Sequence, residues 1–342
     1  MSRWQSWFFP ALVVLAGCDV SPRTQDVGVA ELPPGAAPDD GSSEDPYAPD
    51  NDGEEGSTSG GTQSTGEDSF ESSDATFDVP ALPDPVPPGV CDTVDLLFVI
   101  DNSGSMADEQ ANLIASVPGF IEGISDRLGV HTDYHVGVVS TDEATFNADG
   151  CQEIGALVTR TQGDLSSDSD CGPYVEGASF MTPQDDLESS FSCAAQLGID
   201  GNGIERPMDA LDRALHPEQG VTVCNDGFLR DEALLVVVLI TDEEDDFESD
   251  GDPVAWYESV VEVKGGDEER VVVLSLVGHP KPNDCIPTQW TGMQGAEIAT
   301  RILQFTSIFP YGYVGDICSA DYEPFFAEAT EHIDTACSLP EG

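Results

Sequence analysis

The stretch Leu96–Met106, LLFVIDNSGSM, closes an apolar run with Asp101, Ser103 and Ser105 at alternate positions and Gly104 between the serines. Alternate residues of an extended or looped backbone can face one side. Three oxygen-bearing side chains so placed are the kind of donor set that hard divalent cations take. A second apolar run, LLVVVLITD at 234–242, also ends in an aspartate, Asp242. Motifs for other chemistry are missing: the chain has no nucleophile elbow, no phosphate-binding loop and no His-Glu-x-x-His. The five histidines lie in no ligand-like spacing.

These residues must be positioned by a sheet. The runs 94–100, 134–142, 234–242 and 270–278 are apolar enough for buried parallel strands. A short further strand is expected in CQEIGALVTR (151–160), and an edge strand at 311–318. Segments with helical spacing alternate with them: 107–128, with Pro118 expected to kink or interrupt it, then 183–198, 204–216, 252–264, 293–306 and 321–336. Alternating strands and helices predict an α/β fold, a doubly wound and mostly parallel central sheet with helices on both faces. In such sheets ligands bind at the carboxyl ends of the strands, where VID (99–101) and ITD (240–242) end.

The pair DLLFVIDNSGSM and VVVLITDEED resembles the von Willebrand factor A domain over about residues 91–337, and Asp101-Asn102-Ser103-Gly104-Ser105 matches its metal-ion-dependent adhesion motif. The resemblance implies that Ser103 and Ser105 would bind Mg²⁺ or Mn²⁺ directly, with Asp101 and Asp242 acting largely through water. The family usually adds a threonine from a glycine-rich loop. Here the loop reads DGNGIERPMDAL, and Glu205 stands at that place. A glutamate there would partly neutralise the cation, favour Ca²⁺ or Mn²⁺, and suit a neutral or basic partner. The alternative is that Glu205 caps the following helix. A partial calcium-loop pattern, Asp246-x-Glu248-x-Asp250-Gly251, lacks the closing acid and reads as a peripheral Ca²⁺ site or a solvated loop.

The chain of 342 residues carries 66 acidic and 11 basic side chains, a formal net charge of −55, which excludes nucleic acid as a natural partner. At the N-terminus a basic flank, a short apolar run and Leu15-Ala16-Gly17-Cys18 resemble the signal and lipobox of bacterial lipoproteins. Residues 1–17 would be removed and Cys18 acylated, anchoring an exported protein to a membrane through lipid alone. Residues 18–90 form an acidic, Gly-, Ser- and Pro-rich tether, and residues 91–342 the domain.

Eight further cysteines, Cys91, Cys151, Cys171, Cys193, Cys224, Cys285, Cys318 and Cys337, are an even set in an oxidising compartment and predict disulfides. Expected pairs are Cys91–Cys337, Cys151–Cys171 and Cys285–Cys318. With the lipobox, these cysteines and MADEQANLIASVPGFI also resemble a group of bacterial von Willebrand A lipoproteins.

The sum is a non-enzymatic module of the cell envelope. It would bind a protein or surface polymer through Mg²⁺, Mn²⁺ or Ca²⁺. The alternatives are an envelope protein with a purely structural cation, and a metal-assisted hydrolase.

Overall fold

A computed structural model describes residues 92–128, 132–246, 248–280 and 295–338. The expected signal, Cys18, the tether, Cys91 and Cys285 lie outside the described residues.

Among the described residues five strands form the sheet: β1 (Thr93–Ile100), β2 (Asp133–Ser140), β3 (Leu234–Thr241), β4 (Val271–Val277) and β5 (Tyr311–Asp316). Their order is β2-β1-β3-β4-β5, and every pairing is parallel. The expectation of a mostly parallel sheet is thus sharpened to an all-parallel one. Apolar runs without polar alternation require cover on both faces, and the packing supplies it. Leu96, Phe98 and Ile100 of β1 join Val236, Val238 and Ile240 of β3 in one core. Leu97 and Val99 join Leu235, Val237 and Leu239 in a second core on the other face.

Among the described residues six helices make the outer layers: α1 (Ala107–Leu128), α2 (Leu187–Ala195), α3 (Pro207–Leu215), α4 (Pro253–Glu262), α5 (Thr300–Ile308) and α6 (Glu323–Cys337). Residues of α1, α2 and α6 pack into the first core, those of α3, α4 and α5 into the second. The chain leaves β1 for one face and β3 for the other. Their carboxyl ends therefore form the switch point at which such sheets bind ligands.

Three expectations are corrected. First, the helix is not interrupted at Pro118, since α1 continues through it. Second, residues 151–160 form no strand, only isolated bridges at Glu143–Ile154 and Arg160–Asp170. Side-chain amides occupy the backbone groups a ladder would need: Leu157 N donates to Asn225 Oδ1 at 3.0 Å, Thr159 N to Asn147 Oδ1 at 2.9 Å, and Asn147 Nδ2 to Leu157 O at 2.9 Å. Asp242 accordingly follows the third strand of the chain, not the fourth.

Third, Cys151 pairs with Cys224, and Cys171 with Cys193. Cys151 lies in a small cluster with Ala144, Ala156, Val221 and Cys224. Cys171 is delivered to α2 by backbone pairing between Thr161 and Ser169. Cys318 and Cys337 are also disulfide-bonded, while the partners expected for them, Cys285 and Cys91, are outside the described residues.

Candidate cation site at the carboxyl ends of β1 and β3

Strand register places the site. Ile100 aligns with Ser140 on one side and Ile240 on the other. The next residue, Asp101, is therefore flanked by Thr141 and Thr241. Asp101 is fully buried, and Ser103 N donates to its Oδ1 at 2.7 Å. Thr241 Oγ1 donates to its Oδ2 at 2.6 Å. The loop then turns so that Ser103 Oγ and Ser105 Oγ share a 2.9 Å hydrogen bond. Ser105 Oγ in turn donates to Asp242 Oδ1 at 3.1 Å.

Glu205 enters from the loop before α3. It is buried, accepts a hydrogen bond from Thr141 Oγ1 and feels the charge of Asp101. It does not cap the helix. Arg206 is the N-cap residue and Pro207 takes the first helical position, where a missing N–H costs nothing. All five sequence-selected residues, Asp101, Ser103, Ser105, Glu205 and Asp242, thus converge.

Electrostatics makes the cluster unusual. Three carboxyl groups are buried together, and among the described residues none of the three has a Lys, Arg or His partner. Taken as carboxylates, Glu205 and Asp242 each keep one buried oxygen, Oε1 and Oδ2, without a donor. Burial, then the charge of Asp101, pushes Glu205 up to about 10 and Asp242 up to about 9. Burial likewise raises Asp101. Without a cation, protons must fill the role of countercharge. Among the described residues no three His, Cys, Asp or Glu side chains alone make a metal-holding group. The donor set here is completed by two serine hydroxyls. Hydroxyl and carboxylate oxygens together fit a hard divalent cation and not a soft one.

No protein-family model matches the chain, and no curated protein does. Solved structures with which it aligns include proximal thread matrix protein 1 from the mussel byssus, at 12% identity over 72% of this chain and 48% of that one, TM-score 0.37. A von Willebrand factor type A protein from Catenulispora acidiphila aligns at 12% identity over 71% of this chain and 42% of that one, TM-score 0.35. Manganese-loaded TRAP protein of Plasmodium vivax aligns at 13% identity over 73% of this chain and 75% of that one, TM-score 0.35. The chain spans less than half the length of the first two. The fold assignment rests on the strand order and layering described above.

Several residues that shape the site were not singled out from sequence. Thr141 and Thr241 are the hydroxyl donors to Glu205 and Asp101. Asp142, beside Thr141, accepts from Asn202 N at 2.8 Å and so holds the loop that carries Glu205. Glu243 follows Asp242, and burial raises it to about 7. Glu109, in the first turn of α1, is raised by burial to about 8 and feels the charge of Asp101. The available signal was the shared ending of three strands, Ile-Asp, Thr-Asp and Thr-Asp, at 100–101, 141–142 and 241–242.

The partial calcium loop is tied down internally. Buried Asp245 accepts from Ser249 N at 3.1 Å and Met208 N at 3.3 Å. Arg301 Nη2 donates to Gly251 O at 2.7 Å, and Trp256 Nε1 to Asp250 O at 2.7 Å. His216 Nε2 lies 2.9 Å from Ser259 Oγ, but that hydroxyl donates to Asp212 Oδ1 at 2.5 Å. The trio fastens α3 to α4.

Proposed function

We propose that the chain is a cation-dependent binding module of von Willebrand factor A type, exported and lipid-anchored at the cell envelope, and that it is not an enzyme. The observation carrying this is the buried oxygen cluster at the switch point, with unpartnered carboxylate oxygens and no basic countercharge among the described residues. The sequence resemblance of 91–337 and the lipobox-like start supply the family and the compartment. Ser103, Ser105, Asp242 and Glu205 would hold Mg²⁺, Mn²⁺ or Ca²⁺, with Asp101 oriented by Thr241. The bound cation supplies a positive centre and an open coordination position for a partner group.

Partner chemistry follows from charge counting. Asp101, Glu205 and Asp242 together carry more negative charge, when ionised, than a divalent ion carries positive. Glu243 adds to the excess, and the chain as a whole stands at −55. A neutral or basic protein or polymer fits this site better than an acidic one.

The test is thermal melting of the protein with Mg²⁺, Mn²⁺ and Ca²⁺ after chelation, beside Asp101→Ala. A ligand specific to the folded state raises the melting temperature. Wild type should shift and the variant should not; a flat response in wild type rejects the site. A second reading, a structural cation with no partner role, draws on the near-complete burial of Asp101, Ser103 and Glu205. Cation-dependent melting without cation-dependent retention on basic or neutral envelope polymers would favour it.

A further inference from the structure

The loop from Gln196 to Arg206 has no regular structure of its own, yet it delivers Glu205 to the cluster. Something must hold it in register with the loop that delivers Asp101. Gln110, on the second turn of α1 and 3% exposed, spans the two. Its Nε2 donates to Asp101 O at 3.0 Å and to Gly198 O at 2.8 Å. Its Oε1 accepts from Gly198 N at 3.1 Å. One side-chain amide therefore grips both backbone groups of Gly198 and the carbonyl of the first acidic residue of the site.

The grip acts on a wedged position. Gly198 has φ of +90°, and a Cβ there would come within 2.7 Å of Asp164 O. Ile199 N donates to that same carbonyl at 3.0 Å. The loop is thus held between the 163–167 segment on one side and Gln110 on the other. Farther along, Gly201 N donates to Asn102 O at 2.9 Å, so the two site-bearing loops run in contact up to the cluster. A buried amide with both ends used is expensive to place in a core, and α1 could bury an apolar residue there instead.

We propose that Gln110 is a positioning residue of the cation site. It sets the spacing between the Asp101 loop and the Glu205 loop, and so the affinity and selectivity of the cluster for its cation. This rests on the cation-site reading above. A site holds its metal only when the donors stay within a few tenths of an ångström, and loss of an outer partner typically weakens affinity about 10–100-fold.

The experiment is Mn²⁺ titration by calorimetry on the full chain and on Gln110→Met, Gln110→Asn and Val260→Ala. Val260 is buried in α4, in the core of the opposite face, and its truncation controls for simple destabilisation. Gln110→Met keeps length and removes every hydrogen bond; Gln110→Asn shortens the strut and perturbs the fold less. The expected result is Mn²⁺ binding weakened about 10–100-fold in Gln110→Met and several-fold in Gln110→Asn, with Val260→Ala at wild-type affinity. Folded Gln110 variants that bind Mn²⁺ as wild type does would overturn the proposal and leave the cation site standing. Absence of Mn²⁺ binding by wild type would overturn the cation-site reading itself, and this inference with it.

Discussion

Thr241 Oγ1 and Asp101 Oδ2 lie 2.6 Å apart, one strand end beside the next. The hydroxyl donates to that carboxylate and accepts from Glu243 N at 3.1 Å, so it is tied on both sides. Its role is to fix Asp101 so that Oδ1 receives Ser103 N and the serine loop turns inward. Thr241→Val keeps the shape and removes the donor. A buried carboxylate that loses a hydrogen bond costs about 1–3 kcal/mol, which denaturant unfolding would read. Cation affinity should fall with it, because the Ser103–Ser105 turn is built on Asp101. Unchanged affinity would detach the turn from this bond.

Acid–base linkage gives a prediction with a definite sign. Burial, followed by the charge of Asp101, raises Glu205 from 4.5 to about 10 and Asp242 from 3.8 to about 9. Between pH 4.5 and 9 the folded, cation-free protein therefore binds more protons than the unfolded chain. Its stability must fall as pH rises through that window. A divalent cation replaces the protons and removes the slope. Melting in chelator should thus fall steadily from pH 5 to pH 8.5, and melting with saturating Mg²⁺ should fall less. Parallel curves would show that these carboxyls do not face the cation.

Glu205 separates charge from shape. In chelator at pH 8, Glu205→Gln should stabilise the protein by roughly 1 kcal/mol or more, since the amide replaces an acid that resists ionisation. The same change should weaken cation binding, because one anionic donor is lost. Opposite signs in the two assays are the signature of a ligand; a helix-capping residue would lose stability in both. Glu205→Thr should shift preference away from Ca²⁺ and toward Mg²⁺. An unchanged order of cations would remove Glu205 from the donor set.

What could be read from the residues alone follows physical range. The strands β1 and β3 were legible because the apolar runs LLFVI and LLVVVLI have few other homes, and Asp101 and Asp242 because they follow where those runs end. Glu205 came into view only through the motif of a resembled family. Its contact with Thr141 depends on the register that sets Ile100 beside Ser140, which no local pattern encodes. The segment 151–160 misled for a related reason. It has strand-like residues, but Asn147 and Asn225, distant in sequence, take up its backbone groups. Disulfide pairing was illegible in the same way, because Cys151 meets Cys224 across 73 residues of chain.

The far end of the sheet supplies a control that the cation site does not touch. Asp95 of β1 is fully buried, with Arg230 Nε donating to Oδ1 at 2.8 Å and Arg230 N to Oδ2 at 2.7 Å. Lys264 Nζ lies 3.9 Å from Oδ2 and donates to Arg230 O at 2.7 Å. Burial lowers that lysine to about 8, so its charge leans on Asp95 for compensation. Asp95→Ala strands the buried Lys264 and leaves Arg230 only its ion pair with Asp133, and should cost about 3–5 kcal/mol of unfolding free energy. Asp95 stands six residues before Asp101, about 20 Å along the strand, and shares no hydrogen-bond partner with it. The variant should therefore melt early and still bind cation with wild-type affinity at temperatures where it is folded. A loss of affinity would mean that the two ends of β1 are coupled through the sheet, and that destabilisation alone can mimic damage to the site.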